Sequence, residues 1–296
     1  MTITIKKLGS SRVQATVILD DAKVRERSDQ AVMDLGKEVT MKGFRPGKVP
    51  MEVLREQIDP QRIHERVIQA EMPAIMSEIM SKHGVKPIIR PRVELNTLEP
   101  MTLILTLVEK PGVKVASRKI KLSKVKEEKK ESKEEKEAKE TREVKEKTPE
   151  EVKQEEDAKL LALIAENTTV ELPQELIDDE AESLLEEHAR RLAEFGLKFE
   201  DWIVREKKTI PELMQDLRPS AEKRLKIRFG VAALVVEYKI EVNDAEMQQA
   251  IEMLLTPLQG TEHGELRDLY KPGNRAYEQF KFQKKVEKLL EELRQG

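Results

Sequence analysis

Residues 124–159, KVKEEKKESKEEKEAKETREVKEKTPEEVKQEEDAK, contain hardly an apolar residue and no glycine. Glu and Lys alternate in blocks, with many opposite charges four positions apart. Such a run forms a solvated single helix or a disordered tether, and it cannot bury a core. Whatever this chain packs, it packs on either side of that segment. Toward its end, Thr148-Pro149-Glu150-Glu151 has the spacing of a capping box with Pro at the first helical position, so a firm helix is expected to begin there.

The chain has 296 residues, enough for two or three domains. Charged residues make up 38%, against about a quarter in an average globular protein, and aromatics only 3%. Helix packing by Leu, Ile, Val, Ala and Met suits that composition better than a large aromatic core. Net charge is only −3, so contact with a polyanion must come from a local patch. No cysteine is present, which excludes disulfides and thiolate metal sites. The opening MTITIKKLGSSR has no secretory apolar region, and no apolar run reaches membrane-spanning length. The chain therefore reads as cytoplasmic, with no membrane partner.

Before the charged run, periodicity alternates between strand and helix. Ile3 and Ile5 share a face, as do Val13, Ala15, Val17 and Leu19, with a turn at Gly9 and two serines. Asp20 and Asp21 supply cap chemistry for a helix running to about Thr40. A second helical stretch starts at Pro50, and a longer one starts after Asp59 with Pro60 and ends at Gly84. VKPIIRPRVEL and MTLILTLVEK then read as two further strands, with Leu103, Leu105 and Leu107 on one face. The expected domain is an α+β module over 1–112, four strands packed with helices.

Residues 113–157 are then the charged linker or solvated helix, and 158–296 an all-α domain with extended helical arms. Helices are expected after Pro173, stopping at Gly196; from Thr209 and Glu212 in capping-box spacing; from Asn243 and Glu246; and over the last 25 residues or so. The stripes are core by default. Met214, Met247 and Met253 are candidates for an adaptable surface toward varied apolar partners.

The segment KGFRPGKVP, residues 42–50, lies between two of the helices. It is not a phosphate loop: three residues, not four, separate Gly43 from Gly47, and Val49 follows Lys48. One reading is a plain interhelical turn with Phe44 tucked inward. The other is a presented tip, because Phe44 is enclosed by Lys42, Gly43, Arg45, Pro46 and Gly47. Leaving a Phe in water forgoes roughly 1.5–3 kcal/mol of burial, which a partner could recover. Arg45 and Lys48 could meet phosphates or carboxylates on that partner. His64, His83, His188 and His263 fall in no ligand spacing, and the acidic residues sit on solvated faces. No catalytic motif, metal site or cofactor loop stands out.

GFRPGKVP between two helices of a small α+β domain resembles the ribosome-binding signature of the bacterial trigger factor family. LIAENTTVELPQELIDDE, residues 163–180, is similar to a stretch of that family's helical domain. The resemblance covers about 1–112 and 150–296. It implies an ATP-independent chaperone at the ribosomal exit tunnel, shielding nascent or unfolded chains in an apolar cradle. Its expected partners are ribosomal RNA, an exit-tunnel protein of the large subunit and unfolded polypeptides; an exposed apolar cradle would in addition favour pairing with a second copy of the chain. Carried over, ribosome binding falls to Gly43, Phe44, Arg45, Pro46, Gly47 and Lys48. The family often has Lys where this chain has Pro46, so one positive charge is missing from the tip. Family members usually carry an FKBP-like prolyl isomerase domain between the two parts. Residues 113–157 contain no aromatic residue and are too polar for one. The expectation is a form without isomerase activity and without cofactors. The alternatives are a ribosome- or RNA-binding module that shields no client and, disfavoured by the absent domain, a peptidyl-prolyl isomerase.

Overall fold

Positive φ angles at Gly9 (84°), Ser10 (46°) and Ser11 (60°) turn β1 (Thr2–Gly9) back onto β2 (Arg12–Ile18). Two consecutive left-handed residues give the backbone twist a tight hairpin needs. The computed structural model describes residues 1–37, 44, 49–117, 120, 148–256 and 266–295. Within these, the chain divides into two compact units, 1–111 with 172–179 and 112–171 with 180–296.

In the first unit the hairpin is completed by β3 (Arg92–Leu98) and β4 (Met101–Val108), giving an antiparallel sheet in the order β1-β2-β4-β3. Register aligns the inward residues in rows: Ile5, Ala15, Leu105 and Val93 form one, and Ile3, Val17 and Leu103 the next, with the exposed Leu95 at its end. Leu103, Leu105 and Leu107 are fully buried, as their shared face predicts. The expected strand at VKPIIRPRVEL begins only at Arg92; Pro87 makes just an isolated bridge to Glu109. Proline lacks the N–H a ladder needs.

Three helices join this sheet in one core: α1 (Asp21–Gly36), α2 (Met51–Gln57) and α3 (Pro60–His83). Asp20 and Asp59 cap α1 and α3 by accepting from the N–H groups of Ala22 and Gln61. Gly84, at φ 67°, ends α3. α1 stops at Gly36 with Lys37 as its C-cap; the expected continuation to Thr40 lies outside the described residues.

The second unit is built on α4 (Pro149–Glu166), α5 (Gln174–Glu194, of which 180–194 fall in this unit), α6 (Phe199–Glu206), α7 (Ile210–Glu237), α8 (Asp244–Leu255) and α9 (Arg275–Gln295). Capping boxes at Thr148/Glu151, Thr209/Glu212 and Asn243/Glu246 start α4, α7 and α8, as the spacing predicts. Leu160 and Ile164 of α4, Val231, Leu234 and Val235 of α7, and Leu289, Leu290 and Leu293 of α9 make its main core. The expected purely helical character is modified by a short ribbon. β5 (Val113–Val115) pairs antiparallel with β6 (Thr168–Val170). Three-residue strands carry too little alternation to show in sequence. So 113–115 is strand and 149–157 is helix, while most of the charged run expected as linker lies outside the described residues.

α5 and α7 are tied by charge. Arg224 holds Glu187 with two hydrogen bonds, at 2.7 and 2.9 Å, and Arg228 donates to the buried Glu180 at 2.8 Å. Paired, forked contacts of this kind are the stronger class of ion pair. α6 was not anticipated from sequence. It lies between Gly196 (φ 72°) and Lys207 (φ 55°), and none of its side chains is buried.

Candidate functional site

The loop between α1 and α2 is pinned at both ends. Gly36 closes α1 directly against Leu54 of α2: a Cβ on Gly36 would sit 2.5 Å from Leu54 Cδ1. Any larger residue at 36 would have to push aside the Leu54 side chain, which is buried. Val49 and Met51 pack on the core, and Leu54 and Ile58 belong to it. Arg55 also pairs with Asp29 across the two helices. Behind them, α1 is bound to α3 through Glu71, 1% exposed, which accepts from Lys23 Nζ at 2.5 Å and Arg27 Nε at 2.7 Å. Burial disfavours the Glu71 charge, but these two hydrogen bonds outweigh it and hold the carboxyl below the ordinary glutamate value.

Between those anchors stands Phe44, 40% exposed. A phenyl ring is among the largest apolar groups a chain can bury, so its exposure is a cost within the free chain. Of the six residues expected at this site, Phe44 alone is described; Gly43, Arg45, Pro46, Gly47 and Lys48 lie outside the described residues.

Two family models decide the relationship. The bacterial trigger factor protein model matches residues 1–144, and the trigger factor C-terminus model matches residues 134–293. The chain belongs to the bacterial trigger factor family. The two matches overlap over 134–144, which leaves no room between them for an inserted isomerase domain. Trigger factor of Natranaerobius thermophilus is 28% identical over 40% of this chain and 27% of its own length. That of Mycobacteroides abscessus is 32% identical over 33% of this chain and 20% of its own length. The chain thus matches about a quarter of the length of these curated relatives. A solved trigger factor chaperone, studied for promiscuous substrate recognition in folding and assembly, aligns over 99% of both chains at a TM-score of 0.55 and 18% identity. At that identity the likeness speaks to the trigger factor fold.

In the C-terminal part of this trigger factor, the structure exposes apolar residues that the sequence reading did not single out. Phe195 is 79% exposed and Val204 77%, with Leu197 and Ile210 about half exposed nearby in sequence. All four cluster around α6. The legible signal was AEFGLKFEDWIVREKKTI, where apolar residues continue past the Gly196 stop. Of the methionines expected on an adaptable surface, Met253 is 67% exposed and Met214 half-buried. Met247 is instead 1% exposed, packed with Val242 and Tyr277 between α8 and α9.

Of the histidines, expected at the surface or at helix caps, His83 is at a helix end but His188 is half-buried. His83 ends α3, and His188 packs its ring against Trp202, centroids 4.5 Å apart. Among the described residues no cluster of His, Asp or Glu could hold a metal ion, and no helix is long and apolar enough to cross a membrane.

Proposed function

We propose that this trigger factor is a cytoplasmic, ATP-independent chaperone that docks beside the ribosomal exit tunnel and shields nascent or unfolded chains. The observation that carries the reading is Phe44: an exposed ring on a turn whose two helices are locked to the core. Gly43, Phe44, Arg45, Pro46, Gly47 and Lys48 form the docking tip, with ribosomal RNA and a large-subunit protein as partners. With Pro46 in place of a basic residue, docking leans on Phe44 and Arg45.

The client side of the reading rests on Phe195, Leu197, Val204 and Ile210, exposed in one stretch of the C-terminal part. Burial by such residues is non-directional, so it accepts clients of many sequences and releases them without nucleotide. The same residues can also hold a second copy of the chain. The protein is no enzyme in this reading, because binding alone does the work.

Cosedimentation with ribosomes tests the docking tip. Phe44→Ala/Arg45→Ala should lose binding while the wild type pellets, and rising salt should weaken the wild type where cations meet phosphates. Equal pelleting of the two proteins would remove the tip from the interface. Suppression of client aggregation at stoichiometric amounts separates a chaperone from a module that only binds ribosomes.

A further inference from the structure

We propose that α6 is a hinged flap that opens to present Trp202 and Phe199 to a bound client. The proposal rests on the client-shielding reading and adds a moving part to it.

The flanks of α6 are built as hinges. α5 ends in a tight turn in which Gly196 N–H bonds Ala193 O and Leu197 N–H bonds Leu192 O, with Gly196 at φ 72°. At the other end Lys207 takes a left-handed φ of 55° before the capping box of α7. A lysine there carries backbone strain. Lys198, the N-cap of α6, makes no side-chain cap bond, so its first turn is held locally by backbone alone, with Trp202 N–H donating to Lys198 O at 3.2 Å.

The seat of α6 is aromatic and thin. Trp202 meets His188 edge-on at 4.5 Å, and Phe199 stacks on Trp202 at 5.8 Å within the same helix. His188 Nε2 is buried with no hydrogen-bond partner among the described residues, so no polar bond from that nitrogen locks the seat. By contrast α5 and α7 are clamped to each other by the Glu180, Glu187, Arg224 and Arg228 pairs. The frame is fixed and the short helix between its members is not.

Opening would join surfaces that are now separate. Phe195, Leu197, Val204 and Ile210 are already in water. Phe199, Trp202 and Ile203 are half-buried under the closed flap. An unfolded apolar segment that reaches both sets repays the small cost of unseating Trp202. The partner is therefore an extended apolar stretch, and the closed flap limits exposed aromatic surface while no client is present.

Hydrogen exchange and Trp fluorescence on the full chain test this directly, because Trp202 is the only tryptophan. Amides of 201–206 should exchange at least about tenfold faster than those in the middle of α5 and α7, as expected for a locally opening unit. His188→Ala should increase iodide quenching of Trp202 without loss of helical signal. Unfolded, reduced ribonuclease A, a client without tryptophan, should shift Trp202 emission and lower its quenching. Protection of 201–206 equal to that of α7 would overturn the flap. Fast exchange with Trp202 indifferent to a client that the protein does keep soluble would overturn its role while leaving the chaperone reading intact. If no client is kept soluble, the chaperone reading fails and the client role of the flap fails with it; exchange still decides the hinge.

Discussion

Gly230 lies so close to Thr168 that a Cβ on it would fall 2.3 Å from the threonine hydroxyl oxygen. The same Cβ would be 2.7 Å from Ile164 Cγ2. Thr168 cannot turn away cheaply, because its buried hydroxyl donates to Ile164 O at 2.6 Å. This contact sets α7 against the end of α4 and against β6, in the middle of the second unit's core.

Gly230→Ala should therefore destabilise the chain, although alanine is the better helix former. Overpacking of this kind costs about 1–3 kcal/mol and outweighs the gain of up to about 1 kcal/mol in helix propensity. Urea denaturation followed by far-UV circular dichroism measures the balance. An unchanged or higher midpoint would mean that α7 is free to move off β6.

Glu71 predicts an acid limb in stability. Its folded carboxyl is held below the ordinary glutamate value, so the unfolded chain binds the proton more readily than the folded one. The stabilisation is thus complete above the unfolded pKa, about 4.3, and fades as pH falls through the lower folded value. Unfolding free energies collected from pH 6 downward, roughly to 3, should drop more steeply for the wild type than for Glu71→Gln. Glu71→Gln should also cost stability at neutral pH, since Lys23 and Arg27 lose their shared acceptor. Parallel pH curves for the two proteins would remove Glu71 from the acid limb.

Phe195→Ser/Val204→Ser separates client binding from folding. Both side chains are more than three-quarters exposed, so each change should alter stability by no more than about 0.5 kcal/mol. Aggregation of an unfolded client should nonetheless be suppressed less well at equal concentration. Full suppression by the double variant would move the client surface elsewhere.

Lys207→Gly should stabilise the resting chain. A non-glycine residue at φ 55° pays roughly 1–2 kcal/mol, which glycine avoids, partly offset by glycine's greater freedom when unfolded. A rise in thermal midpoint with unchanged helix content is the expected result. A lower midpoint would show that the Lys207 side chain contributes contacts worth more than its strain.

What the sequence determined by itself was local. Alternation marked both strand pairs, because a sheet with one buried face imposes period two on Val13, Ala15, Val17 and on Leu103, Leu105, Leu107. Helix starts at Asp20, Asp59, Thr148, Thr209 and Asn243 were readable, since each cap is satisfied within three residues of chain. The residues around Phe44 left two readings open, a tucked ring or a presented one, and the ring is 40% exposed.

Other features were decided only by distant neighbours. Met247 and Met253 look alike in sequence, yet one is buried against Tyr277 and the other faces water, because only one lies on the side of α8 that meets α9. β5 and β6 are strands because each supplies the other's hydrogen bonds across more than fifty residues of chain, not because either has the pattern of a strand. Nothing beside Gly36 or Gly230 in sequence shows why glycine stands there; in the fold they are where Leu54 and Thr168 come closest. Caps and periodicity are properties of a few consecutive residues, whereas burial, pairing and close approach belong to residues that only folding brings together.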